Sequence, residues 1–469
     1  MNTKTKKLFD IIPPAIKISV LALLIFAAFP ARSAFAVLDI FRSVGTSTAD
    51  LNAATGASVN ITGTTATFST GLATNVGVGD VLQYNPGSGL TVAFISGRTS
   101  ATVFSVQSQN GGTPTAAGDG TAVNIYRAFN SLFGWESQLV ANVNASINDA
   151  VDDTVLYASL NLTFGNANAI YYVACYADGE DTGGFTLINA FTVDSTHYVH
   201  IYTPTNTTTQ VGISQRHTGK PNTGYRRDNG IRVAPGYTRI DGLSITYTGN
   251  TYNGLALSAG VNSYYFSNNY IDLTHETTTK SGITDFSSGI TGATMYIWNN
   301  IIILASSGAL GISVADGDTT AYVYNNTVIS PNADGVNGVG IYTAVDNVTL
   351  KNNLVYTVTA GSGYLGDVAF TSVTYCASGD ATADDWAGAG NRINQPFRFV
   401  NSASKDYHIA GKDRSVLNYG TTASDANINP DGTDIDGTTR PLNGTWDIGA
   451  DEATITPLMG AFIAVNGSR

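Results

Sequence analysis

Five short segments of this chain align on one pattern. They read Ile240-Asp241-Gly242-Leu243-Ser244-Ile245, Phe266-Ser267-Asn268-Asn269-Tyr270-Ile271, Ile297-Trp298-Asn299-Asn300-Ile301-Ile302, Val323-Tyr324-Asn325-Asn326-Thr327-Val328 and Leu350-Lys351-Asn352-Asn353-Leu354-Val355. The third position falls at 242, 268, 299, 325 and 352, so the intervals are 26, 31, 26 and 27 residues. A second marker, a glycine that opens each unit, falls at Gly230, Gly254, Gly282, Gly311, Gly340 and Gly366. Two markers that keep step are the signature of stacked copies of one supersecondary unit.

The physics of the pattern is that of a coil of short strands. Residues on either side of the central pair alternate, which is the period of a strand. The apolar first and sixth positions are expected to point into a core. One coil cannot bury that face alone, so neighbouring coils stack and share it. Equivalent residues then lie one above another at the strand spacing of about 4.8 Å. An asparagine column is tolerable inside such a stack because each amide bonds the next. At Gly242-Leu243 the pair is broken, so the ladder is expected to begin one coil later.

This pattern resembles the right-handed parallel β-helix repeat proteins, the large group with a pectate-lyase-like fold. The clear repeats run from Gly230 to about Gly366, and looser coils reach back to about Ala169, through Ile170-Tyr171-Tyr172-Val173 and Val199-His200-Ile201-Tyr202. The closing stretch resembles the ends of bacterial surface β-helix proteins. It runs from Phe399-Val400-Asn401 through Tyr407-His408-Ile409 to Asp436-Gly437 and Asp447-Ile448-Gly449-Ala450-Asp451-Glu452. The resemblance implies an all-β chain: a right-handed parallel β-helix over 169–452, closed at its C-terminal end, with a tail over 453–469. It does not imply one activity, since the fold hosts lyases, hydrolases, adhesins and inert spacers.

Ahead of the helix the texture changes. Strand runs at Thr65–Ser69, Asp80–Tyr84, Thr91–Ile95, Val103–Gln107 and Ala122–Tyr126, with Gly-rich turns between them, predict a small β-barrel or sandwich over 37–127. Residues 128–168 read as a capping and linking segment, with Phe129, Phe133 and Trp135 as a plug for the first coil. Solenoids need such caps, because open sheet ends invite stacking with other chains.

Residues 1–36 read as an export signal: Lys4, Lys6 and Lys7, then the apolar run Ile18–Phe29, then Ala34-Phe35-Ala36 as cleavage site. The run is too short to span a bilayer, and no later stretch reaches spanning length. The chain is therefore expected outside the cell or at its surface, without crossing the membrane. Its removal leaves 18 basic and 34 acidic residues, so the net charge moves from −12 to −16. Such a chain repels phosphate backbones, which argues against nucleic acid as a partner. Aromatics at 10%, led by 24 Tyr, argue against disorder. Cys175 and Cys376 are expected several coils apart, too far for a disulfide.

Three groups of residues are candidate sites. The first is an outward stripe on one sheet. Arg239, Tyr265, Tyr296, Tyr322 and Thr349 form one column, and Asp241, Ser267, Trp298, Tyr324 and Lys351 the next. Tyr and Trp on a flat sheet with Asn and Asp nearby offer sugar rings a stacking platform. The same residues also suit plain cross-strand aromatic pairing, and a loop covering them is a further alternative. The second is a basic cluster: Arg216, His217, Lys220, Arg226, Arg227, Arg232 and Arg239. Polysaccharide lyases of the resembled fold use a Lys or Arg to take a proton beside a uronate, often with calcium, so Arg226, Arg227, Lys220 and His217 are candidate catalytic groups. A solvated loop paired with Asp194, Asp228 or Asp241 is the favoured reading, because a run of charge usually marks an exposed face.

The third is an oxygen-rich loop of Asp425, Asn427, Asn429, Asp431, Asp434 and Asp436, the candidate calcium site. Pro430 and the lack of a closing Glu fit turn chemistry instead. No other cofactor is called for. The acid motifs of polygalacturonases are missing from the repeats. In the column after the pair only Asp272 is acidic, its equivalents being Ile303, Ile329 and Tyr356. The leading expectation is thus a module that binds a polysaccharide or a cell-surface partner along the helix face. The alternatives are a lyase acting on uronate glycans and a structural spacer or assembly subunit.

Overall fold

The computed structural model describes residues 37–454, apart from 158–168, 190, 192, 247–252, 259, 276–279, 286–289, 305–308, 331–337, 358–361, 387, 424–426 and 443. The stretch expected to be an export signal, roughly the last quarter of the linking segment and nearly all of the tail fall outside these residues.

The repeats stack into a parallel β-solenoid of three sheets. The first has nine strands, beginning with Leu38–Val44, Ala169–Cys175, Val199–Tyr202 and Arg239–Asp241 and ending with Ser372–Thr374. The second has seven, from Thr186–Ile188 to Ser362–Gly366, and the third has eight, from Glu180–Asp181 to Ala377–Ser378. Every pairing within the three sheets is parallel, as in Ile240↔Phe266 and Ile297↔Val323. Inward side chains from all three meet in one core, among them Ile240, Phe266, Ile297, Ile271, Ile302, Ile283 and Ile312.

The central pair of each repeat is the corner between the first and third sheets. Its first residue has a left-handed backbone: φ is 79° at Gly242, 54° at Asn268, 55° at Asn299, 56° at Asn325 and 54° at Asn352. Glycine and asparagine are the residues that adopt this conformation at low cost. A sixth corner at Tyr375, φ 52°, lacks the asparagine and escapes the sequence pattern. The second residue points inward. Asn269, Asn300, Asn326 and Asn353 are fully buried. Their amides bond in series: Asn269 Nδ2 to Asn300 Oδ1 at 3.0 Å, Asn300 to Asn326 at 2.9 Å and Asn326 to Asn353 at 3.1 Å. The ladder starts one coil after Leu243, whose backbone N–H donates to Asn269 Oδ1.

The glycine column follows from close approach. A Cβ on Gly254 or Gly282 would stand 2.8 and 2.5 Å from the inward methyls of Ile271 and Ile302. The sheet register pairs Ile341 with Tyr364, so Gly363, and not Gly366, continues the column after Gly340.

The N-terminal region is a closed six-stranded antiparallel barrel of Ser58–Thr62, Thr65–Phe68, Val81–Tyr84, Thr91–Arg98, Val103–Gln107 and Ala117–Tyr126. Leu38–Val44, which sequence reading left with this region, instead pairs with Ala169–Cys175 as the outermost strand of the first sheet. The barrel is thus an excursion between two solenoid strands. Arg127 fixes it there: the buried guanidinium bonds Asp80 and Asp178, both at 2.7 Å, and lies 3.6 Å from the Tyr176 ring. A short helix, Leu132–Ser137, follows, with Ser131 Oγ as its N-cap. Its Trp135 stacks on Phe191 within the core, while Phe133 is exposed.

The closing stretch runs along the side of the solenoid as a strap. In its middle strands the third sheet is apolar on both faces, as Ile301-Ile302-Ile303 shows. Its outer face (Tyr270, Ile301, Ile303, Ile329, Leu354) packs against Tyr407, Ile409, Val416, Ile435, Ile448 and Ala450. Both cysteines are buried and free. Among the described residues no helix is long and apolar enough to cross a membrane.

Candidate functional site: a cleft between the first sheet and the strap

The outward column of the first sheet is longer than the repeats announce. The pairings place Phe41, Tyr172, His200, Arg239, Tyr265, Tyr296 and Tyr322 on seven successive strands, all half-buried. The first three escaped the repeat pattern because their coils lack the asparagine pair. Aligning Tyr172 and His200 within their own strand runs would have found them.

The rings of this column face one another. Tyr265 and Tyr296 stack at 5.0 Å with planes 10° apart, and Tyr296 and Tyr322 at 5.4 Å and 12°. Each ring's face is therefore taken by its neighbour, and edges and hydroxyls point outward. The tyrosines form cross-strand pairs, and a sugar ring cannot lie flat on Tyr296. The neighbouring column is covered. Trp298 and Tyr324 are only 9% and 8% exposed, because Ala423, Ile428 and Trp446 of the strap pack over them.

At one end of the tyrosine stack the strap stands off and leaves a cavity of about 270 Å³. Its sheet side is His200, Arg239, Asp241, Tyr265, Ser267, Asn268 and Trp298. Arg216 and Thr205 come from the preceding loop, and Asn427, Asn429, Pro430, Asp431 and Thr433 from the strap.

The charges within it are sorted. Arg216 donates to the Asp241 carboxylate, which also accepts from Ser267 Oγ at 2.8 Å and Asn268 Nδ2 at 2.6 Å. Burial opposes the ionised form of Asp241, but Arg216 and these donors outweigh it and lower the pKa. Burial brings the His200 imidazole down to about 4, helped by Arg239 and Arg216 against the pull of Asp241. Arg239 differs from Arg216. Its guanidinium lies between two rings, 4.1 Å from Tyr198 and 4.9 Å from Tyr265, and makes no ion pair among the described residues. Its buried Nε has no hydrogen-bond partner.

The basic cluster scatters. Arg226 and Arg227 share one two-residue strand, so they point opposite ways. Arg226 is held by Asn222 Oδ1 at 2.9 Å. Arg227 is fully buried and bonds the carbonyls of Asn229 and Gly184. His217 is buried too: Nε2 donates to the Asn268 carbonyl at 2.8 Å and Nδ1 accepts from the Gly219 N–H at 3.0 Å. Lys220 reaches Asp406 at 3.0 Å. Only Arg216 and Arg239 of the cluster meet in the cleft.

The oxygen-rich loop does not close on one point either. Asp425 lies outside the described residues. Asn427, Asn429 and Asp431 form one lip of the cleft. Asp434 is buried and accepts from the Asp436 and Thr438 N–H groups, which is turn chemistry, and from the Glu452 N–H further along the strap. Asp272 is engaged by Lys405 at 2.6 Å. Asp436 turns away to His408, a meeting that sequence spacing could not announce. Searches of protein-family models, curated proteins and solved structures found no match to this chain, so the cleft has to be read from its own chemistry.

Proposed function

We propose that this is an extracellular module of the right-handed, pectate-lyase-like β-helix type that binds an anionic polysaccharide in the cleft. Parallel crossovers are right-handed in about 98% of cases, and the order of charge, apolar run and small residues in 1–36 supports export.

One observation carries the ligand class. Arg239 is a cation held between two aromatic rings, facing a cavity, with no ion pair to a carboxylate among the described residues. A planar guanidinium in that position suits a carboxylate presented by a ligand. Around it the amides of Asn268, Asn427 and Asn429 and the hydroxyls of Thr205, Ser267 and Thr433 suit sugar hydroxyls. The acidic surface of the whole chain slows the approach of a polyanion, but charges beyond about 8 Å are screened at physiological salt. The lyase reading loses support because Arg227 and His217 are tied up by backbone partners.

The test is a panel of uronate-containing and neutral polysaccharides, with ultraviolet absorbance followed for unsaturated products. Uronate polymers are expected to bind, and Arg239→Gln to weaken them at least ~10-fold with an unchanged melting temperature. Equal affinity for neutral glycans, or no effect of Arg239→Gln, overturns the reading. A rise in absorbance converts the module into a lyase.

A further inference from the structure

Beside the cleft lies a second cavity of about 660 Å³, lined by Ser214, His217, Thr218, Asp436 and Gly437 and sharing Thr205, Arg216, Asp431 and Thr433 with the first. Behind Asp436 stand His408 and Asp451. One ligand atom from each of the three lies within 4.8 Å of the others. From this grouping we infer a binding site for a single divalent transition-metal ion, formed by His408 Nε2 and the carboxylates of Asp436 and Asp451.

Three features support the assignment besides proximity. The His408 residue is 8% exposed, and its Nε2 is buried without a hydrogen bond, although it stands 3.1 Å from Asp436 Oδ2. The nitrogen is aimed at the Asp436 carboxylate without a well-aligned hydrogen bond to any described residue. The separation also fits: two ligands about 2.1 Å from a tetrahedral ion lie roughly 3.4 Å apart.

Second, the other ring nitrogen is oriented. His408 Nδ1 meets Asp406 Oδ1 at 2.6 Å, and Lys220 holds the other oxygen of Asp406 at 3.0 Å. A carboxylate behind a histidine is the usual support of a metal-bound imidazole.

Third, the group has a closed side and an open side. Asp451 is 6% exposed and accepts from the Ile409 N–H at 2.7 Å, whereas Asp436 faces the cavity. Gly219 makes the room, because a Cβ there would stand 2.6 Å from the His408 ring. Mixed imidazole and carboxylate ligands favour zinc or manganese over calcium and magnesium. This assignment is independent of the glycan reading.

The test uses the full chain, stripped with a chelator and titrated calorimetrically with Zn²⁺, Mn²⁺, Ca²⁺ and Mg²⁺. One equivalent of Zn²⁺ or Mn²⁺ is expected to bind and to raise the melting temperature. His408→Gln and Asp436→Asn should each lower the affinity at least ~10-fold, and Asp406→Asn by about 10–100-fold. Asp436 is exposed, so its variant stays informative if His408→Gln folds poorly. No uptake of either ion, or uptake that Asp436→Asn leaves unchanged, overturns the site.

Discussion

The Asn299 side-chain amide donates to the backbone carbonyl of Thr433 at 2.7 Å, across 134 residues of chain. A corner residue of the solenoid is thereby tied to the strap. The same amide bonds Asn268 Oδ1 of the preceding coil at 3.2 Å. At the far end Asn352 repeats the tie with the Thr421 carbonyl. The strap that forms one wall of the cleft is therefore held by the residues that turn the coils.

Asn299 thus has two separable duties, backbone and side chain. Asn299→Gly keeps the left-handed corner and loses the tie, at an expected cost of about 1 kcal/mol. Asn299→Ala also strains a corner at φ 55°, adding about 1–2 kcal/mol. Urea unfolding of both variants measures the difference. Equal losses would show that the corner conformation does not select asparagine.

Inside the stack, Asn326 accepts from the Asn300 N–H at 3.0 Å and donates to the Ile297 and Tyr324 carbonyls, both at 3.0 Å. Asn326→Ala orphans a buried donor, so a loss of about 2–4 kcal/mol is expected. The last rung, Asn353, meets Cys376 Sγ at 3.8 Å, a weak acceptor. Cys376→Ala should therefore cost clearly less. Denaturant midpoints decide it, and a larger loss for Cys376→Ala would contradict the ladder's role.

Glycines of the two kinds should respond differently to alanine. A Cβ on Gly311 would collide with Val328 Cγ1 and the Gly340 carbonyl, whereas at Gly292 nothing lies within 4 Å. Gly311→Ala is expected to prevent stable folding of its coil. Gly292→Ala should cost only about 1–2 kcal/mol for its positive φ. Thermal unfolding of the pair tests the column, and comparable losses would refute it.

Acid should weaken the floor beside the cleft through His217. Burial, and then the Arg216 charge, bring its pKa down to about 4 despite the bond to Asn268. The unfolded chain takes up the proton near its ordinary value of 6.5, and the folded one does not. Stability is therefore complete above about pH 6.5 and falls as the pH drops toward 4. Between pH 6.5 and 5 the loss is about 2 kcal/mol, at ~1.4 kcal/mol per pH unit. His217→Gln should flatten this dependence in urea titrations at the two pH values. An unchanged slope would remove His217 as its source.

The coil, its period and its corners were legible without coordinates. A conformational demand repeated every 26 to 31 residues leaves a repeated residue type, and stacking turns that type into a column. Asn at Asn268, Asn299, Asn325 and Asn352 records left-handed backbone, and Gly254, Gly282, Gly311 and Gly340 record close approach. The outward placement of Arg239 and Tyr265 followed from the same alternation. Even the strap left a trace: Ile301 and Ile303 are apolar on a face that water would otherwise wet.

What the strap does there was not legible. It is aperiodic, and its ties to the coils span 69 residues at Asn352 and 134 at Asn299, so no spacing records that it covers Trp298 and Tyr324 and stands off at Arg239. Nor does local sequence tell Arg227, buried against backbone carbonyls and Asp181, from Arg239, which makes no ion pair among the described residues. His408, Asp436 and Asp451 meet only because the strap turns back on itself. Periodic contacts are written once per coil and can be read. Contacts made once, between distant segments, are decided only when the chain closes on itself.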